Sequence, residues 1–221
     1  MRYLIGLGLG LLLVTGLLTA CAAAGSEEGE VCLGDGSLFS DDFSDEEKCG
    51  WTLYSQGGTT AAIANGVLTI TTSQPGQIWW SNPGRLFDDA VITVQARQAE
   101  GPNDNAFGLV CRYQSTENFY VFLISGDGYY AIGKYQSGTD QIEYLTGEGQ
   151  YLPSDAINQG VATNQIRASC IGNQLSLMVN GLHLATVTDP TFVTGDVGLA
   201  ASTFQAGTAV IQFDDFRVVR P

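Results

Sequence analysis

Histidine occurs once in the 221 residues and no two cysteines stand in a C-x-x-C spacing, so neither a multi-histidine metal site nor a zinc ribbon can be built. Basic residues number 9 against 23 acidic ones, and the formal charge of −14 leaves counterion release no basic patch to work through. Nucleic acid and anionic membrane surfaces are therefore poor partners. The chain has no glycine-rich phosphate loop and no H-E-x-x-H, which removes nucleotide binding and the usual metalloprotease arrangement. Past residue 20 no window of a dozen residues keeps a helical apolar period, so β-α-β crossovers are excluded. Only 14% of residues are charged, too few for the solvated faces of long helices.

What is present points to strands. Hydrophobic residues make up 44% of the chain, enough for one sizeable core, and 28 glycines with 10% aromatics favour sheets joined by tight turns. From Leu38 onward strand-sized runs alternate with turn residues every 8 to 12 positions, the spacing of a sandwich or barrel. These runs are 38–43, 66–72, 77–81, 90–98, 106–113, 118–125, 129–135, 164–171, 174–180, 182–188, 197–204 and 208–219. Asn180-Gly181 between QLSLMV and LHLATV predicts a type I′ hairpin, since both central residues must take positive φ. Gly126-Asp127-Gly128 and Gly172-Asn173 predict two more. The fold expected is all-β and antiparallel.

Residues 1–20 hold one charge, Arg2, and an apolar run from Tyr3 to Leu18, which reads as an export signal rather than as part of the fold. The run ends in Leu18-Thr19-Ala20-Cys21, which resembles the lipobox of bacterial lipoproteins and implies cleavage before Cys21 and lipidation of its thiol. Residues 21–36 then read as a lipidated acidic linker, and 37–221 as one domain. The chain is expected to be exported and anchored by lipid to the extracytoplasmic face of a bacterial membrane. Cys32, Cys49, Cys111 and Cys170 remain, an even number in an oxidising compartment. Of three connectivities, Cys32 with Cys49 and Cys111 with Cys170 is favoured. The first two flank the first strand-like segment, and the second two fall in the inward phase of their strands.

The segments LFSDDFS, Gly50-Trp51, GVLTI, NAFGLVCRYQSTENFYVFLISGDGYY, TNQIRASCIGNQLSLMVNG, GDVGLAAST and FDDFRV, in this order, resemble the laminin-G-like, concanavalin A-like jelly roll. They resemble in particular the bacterial set related to the 3-keto-disaccharide hydrolase domain. The resemblance spans residues 38–220 and implies a concanavalin A-like antiparallel β-sandwich. It does not choose among the lectins, binding modules, glycosidases and adhesive domains that this architecture hosts.

Candidate chemistry follows from residue types. Asp41-Asp42 and Asp214-Asp215 lie near the two ends of the domain; adjacent carboxylates repel unless neutralised, and calcium accepts mixed oxygen shells. The resemblance implies a structural Ca2+ in the same place. Sugar binding needs flat apolar surfaces with a few planar polar groups. Trp79 and Trp80 are adjacent, so on a strand they face opposite sides and one is left outside the core. Arg112 stands in opposite phase to Cys111, and Tyr120 in opposite phase to Phe119 and Val121; with Gln95 or Arg97 these could share a concave sugar-binding face. The E-x-D-x-E strand of the fold's glycosidases is missing, and His183 beside the Asn-Gly turn reads as a solvent-face residue. The expected role is noncatalytic binding of a surface glycan. The alternatives are a glycoside hydrolase of the keto-disaccharide type and an adhesive protein-binding module.

Overall fold

A computed structural model describes residues 32–33, 36–45 and 49–221. The signal segment, Cys21 and most of the linker lie outside the described residues. In chain order the strands are β1 Phe39–Asp41, β2 Tyr54–Gln56, β3 Thr59–Ala64, β4 Val67–Thr72, β5 Trp79–Ser81, β6 Ala90–Glu100, β7 Asn105–Ser115 and β8 Asn118–Ile124. There follow β9 Tyr129–Tyr135, β10 Glu143–Tyr144, β11 Leu152–Pro153, β12 Thr163–Ile171, β13 Gln174–Val179, β14 Leu182–Thr188, β15 Asp196–Thr203 and β16 Ala209–Val219. The strands expected from the sequence are all present within a few residues. Missing from that expectation were β2, β3, β10 and β11, which are short or built of Ala and Thr and carry little apolar alternation.

Two antiparallel sheets result. The nine-stranded sheet runs β14-β13-β12-β6-β16-β4-β3-β2, with β1 also on β16; the seven-stranded sheet runs β10-β9-β8-β7-β15-β5, with β11 also on β9. Asn180 and Gly181 both take positive φ, 50° and 81°, and turn β13 into β14 as their sequence predicts. The inner faces of the two sheets meet in one core, with Ile92, Val94, Ile166, Leu177 and Phe213 from one side and Phe107, Leu109, Phe122, Ile132 and Leu199 from the other. The architecture is the β-sandwich expected.

Both disulfides form as expected, Cys32 with Cys49 and Cys111 with Cys170. The second joins β7 of one sheet to β12 of the other, so it crosses the core directly.

Candidate functional site

The outer face of the seven-stranded sheet is the unusual one. An antiparallel sheet with one solvated face alternates apolar and polar residues, yet β7 and β8 are apolar in both phases. Phe107, Leu109 and Cys111, with Tyr120, Phe122 and Ile124, go to the core, while Ala106, Val110, Phe119, Val121 and Leu123 gather outside with Ala200 in a second apolar cluster. Register explains the relief of that face. One rung across β5, β15, β7, β8 and β9 reads Trp80, Ala200, Gly108, Leu123, Ala131, and the next, from β15 to β10, reads Gly198, Val110, Val121, Gly133, Tyr144. Small residues on β15, β7 and β9, with a ring at one side of each rung, leave a trough.

Its walls are aromatic. Trp80 packs against Phe119 and Tyr113, with ring centroids 5.1 and 5.9 Å apart, and Phe119 continues to Tyr135 at 5.6 Å. The segment after β9 folds back over the sheet so closely that a Cβ on Gly133 would stand 2.6 Å from Ile142 Cγ2. That segment carries Tyr144 and Tyr151, which meet edge-on at 4.9 Å, and Tyr151 meets Phe204 at 6.0 Å.

This Tyr144, Tyr151 and Phe204 ridge separates two adjoining clefts. The larger, about 550 Å³, includes Gln77, Ile78, Trp80, Phe119, Tyr135 and Asp140 in its lining; the smaller, about 380 Å³, includes Asp104, Ser125, Asp127 and Tyr129. Cavities of this size suit small ligands or short stretches of a polymer. Phe204 and Tyr129 are 40% and 41% exposed, ring surface that the core does not use. The Ser125 hydroxyl donates to the Asp127 carboxylate, and the Gln205 amide donates to Asp104.

Among the described residues the buried Tyr151 hydroxyl has no hydrogen-bond partner, and burial, then Tyr144 beside it, pushes its pKa well above the ordinary value. An unsatisfied buried hydroxyl costs free energy rather than contributing it. Tyr151→Phe is therefore expected to leave stability unchanged or raise it by about 1 kcal/mol. Urea unfolding at neutral pH checks this, and a clear loss would mean that the hydroxyl has a partner.

The residues expected from the sequence divide. Trp79 and Trp80 do face opposite sides, Trp79 toward the core beside Tyr54 and Trp80 into the larger cleft. Both are half-buried, so the expected contrast of one exposed and one core tryptophan is softened. Arg112 and Tyr120 are corrections. Tyr120 is fully buried in the inter-sheet core, where its hydroxyl donates to Asp189 Oδ1 at 2.6 Å and accepts from the Phe192 amide at 3.0 Å. Burial and Asp189 together push that phenol up to about 12.

Arg112 is 1% exposed, because a bulge after Cys111 and a φ of 52° redirect it inward. Its guanidinium donates to the Phe192 carbonyl at 2.7 Å and to Asp89 at 3.2 Å. Gln95 and Arg97 are on the nine-stranded sheet, its outer face, and share no surface with the trough.

Pairing of β1 with β16 brings the aspartate pairs near each other, where Gln95, Asp41, Asp42 and Asp215 line a third cleft of about 460 Å³. Burial, then Asp215 and Asp42, raise the Asp214 pKa. Asp41, however, accepts from Trp51 Nε1 and the Phe43 amide, both at 2.8 Å, so its carboxylate serves the fold. Among the described residues no three His, Cys, Asp or Glu side chains group as a metal ion requires, and the calcium expectation gains no support. His183 is exposed, as expected, with Nε2 2.8 Å from Thr186 Oγ1.

The sequence reading missed Phe119, Tyr129, Tyr135, Tyr144, Tyr151 and Phe204. A signal was available: Ala106, Gly108, Ala131, Gly133, Gly198 and Ala200 repeat at period two on three strands, which marks one recessed face.

No family model matches the chain, and no curated protein matches it in sequence. Solved structures do resemble it in fold. The carbohydrate-binding module CBM66 from Bacillus subtilis superposes with a TM-score of 0.62 at 13% identity, over 77% of this chain and 95% of the module. A Bacillus subtilis protein of unknown function with a galectin-like fold gives 0.58 at 13% identity, over 84% and 98%. A xylan β-1,4-xylosidase from Bacillus halodurans gives 0.59 at 14% identity, over 82% of this chain and 39% of the enzyme, so the likeness is to one part of it.

Proposed function

We propose that the protein is a carbohydrate-binding module, held on the outside of the cell by a lipid on Cys21, and that the trough on the seven-stranded sheet is its binding site. The observation that carries this is the aromatic relief: rings of Trp80, Tyr129, Tyr144, Tyr151 and Phe204 around an apolar floor that includes Ala106 and Leu123. Sugar rings present apolar C–H faces that stack on such surfaces, while their hydroxyls need a few planar polar partners. Gln77, Gln141 and the carboxylates of Asp104, Asp127 and Asp140 supply them at the edges. The fold shared with a carbohydrate-binding module supports the same reading.

The test is a glycan array probed with the full chain and with Phe204→Ala. Phe204 is exposed enough that its removal spares the core, and its ring belongs to both clefts. Loss of that stacking is expected to weaken binding about tenfold, which corresponds to 1.4 kcal/mol. An array with no hit, or hits indifferent to Phe204→Ala, would move the adhesive reading ahead. The hydrolase of the keto-disaccharide type would show itself as turnover of a bound glycan. The lipid is tested by fatty-acid labelling, expected in the wild type and lost in Cys21→Ser.

A further inference from the structure

We infer that the two clefts work as one groove, which holds an internal stretch of a linear, uncharged polysaccharide and rejects acidic chains. The inference rests on the carbohydrate reading and adds chain geometry and charge to it. Geometry comes first. The larger cleft includes Thr116 and Phe119 at the start of β8, and the smaller includes Ser125 and Asp127 just past its end. The two therefore lie in series along one strand, roughly 20 Å long at ~3.3 Å per residue. They meet at Tyr144, Tyr151 and Phe204, which belong to both linings. A site for a chain end closes around one ring, whereas clefts in series present stacking surfaces to several consecutive rings.

Charge narrows the occupant. Asp140 stands in the lining of the larger cleft and Asp104 and Asp127 in that of the smaller, while among the described residues no lysine or arginine lines either. Lys134, on β9, turns to the core side and is held by Asp189 at 2.8 Å and Glu143 at 3.4 Å. Arg97, Arg167 and Arg217 are exposed on the outer face of the opposite sheet, with Arg167 and Arg217 both registered on Thr93. These four cations are thus segregated from the groove, and the whole chain adds a net charge of −14. A uronate or sulfate group entering the groove would meet carboxylates with no counter-charge, whereas a neutral hydroxyl can donate to the same carboxylates.

The experiment is an array and titration of the full chain with linear glycans of two to six units, in neutral gluco- and xylo-configured series and in a galacturonate series. Binding is expected in a neutral series, with affinity rising at least tenfold from two units to six, and none in the galacturonates at low salt. Two exposed residues at opposite ends separate one cleft from two. Tyr129→Ala and Thr116→Ala should each weaken the six-unit chain several-fold, and together should bring it near the two-unit affinity. Galacturonate binding equal to the neutral series overturns the charge assignment. Affinity indifferent to length, or sensitive to only one of the two substitutions, overturns the groove. If the chain binds no glycan of any kind on the wider array, the carbohydrate reading falls and this inference with it.

Discussion

Replacing Cys111 and Cys170 together by alanine is expected to lower the unfolding free energy by about 4 kcal/mol. The crosslink spans 59 residues and joins β7 to β12, strands of different sheets, so its loss frees a long loop in the denatured chain. Chain entropy grows with the logarithm of loop length. The Cys32–Cys49 bridge, spanning 17 residues, is accordingly expected to contribute less, about 3 kcal/mol. Both Cys111 and Cys170 are buried, so alanine also leaves a small volume unfilled and adds to the loss. Guanidinium unfolding of the double variant checks this. The midpoint should fall while the denaturant slope rises, because a denatured state without the crosslink exposes more surface. A loss under 1 kcal/mol would show that packing alone clamps the sheets.

Asp189→Ala is expected to cost about 3 kcal/mol, the scale on which an unpaired buried charge destabilises. Lys134 and Asp189 are each 8% exposed, and Lys134 Nζ donates to Asp189 Oδ2 at 2.8 Å. The other carboxylate oxygen accepts from Tyr120 at 2.6 Å and from the Thr191 amide at 2.9 Å. Without Asp189 the ammonium keeps, among the described residues, the neutral Thr191 hydroxyl at 3.3 Å and one carboxylate, Glu143, at 3.4 Å and largely solvated. The same network predicts a pH dependence. Burial works to raise the Asp189 pKa, but Lys134, Thr191 and Tyr120 outweigh it and hold the carboxyl well below the usual carboxylate range. A carboxyl depressed in the folded state stabilises fully above its unfolded value, about pH 4, and loses that contribution as pH falls further. Wild-type stability should therefore drop between pH 4 and pH 2 more steeply than that of Asp189→Asn. Urea unfolding at pH 7, 4 and 2.5 reads both effects, and parallel acid profiles would contradict the assignment.

This network also shows where the sequence was ambiguous. In β8 both phases are apolar, Phe119, Val121 and Leu123 in one and Tyr120, Phe122 and Ile124 in the other, so alternation cannot say which faces the second sheet. A polar tip suggests the solvent side for Tyr120. The loop after β14 reverses that by supplying Asp189 and Phe192 as partners inside, and Arg112 is drawn in beside them. A slip of one residue in phase exchanges core for surface, which is why two expected binding residues became buried ones.

By itself, the sequence favoured one of three disulfide pairings, and it determined the class of fold, most of the strands, the turn at Asn180-Gly181 and the opposed faces of Trp79 and Trp80. All of these depend on neighbours in the chain or on the period of two, which local sterics enforce. Which face of the seven-stranded sheet lies open was decided only by tertiary structure, as was the ridge of Tyr144, Tyr151 and Phe204 across it. Those rings come from segments up to 60 residues apart in the chain, and nothing in the spacing of Tyr144 and Phe204 records that Gly133 and Ala200 leave room for them on one sheet. Burial of Arg112 and Tyr120 has the same origin, since the groups that satisfy them arrive from residues 189–192, some 70 to 80 positions downstream. Partners that far apart leave no periodic trace in either segment, because the geometry that pairs them belongs to the assembled sheets.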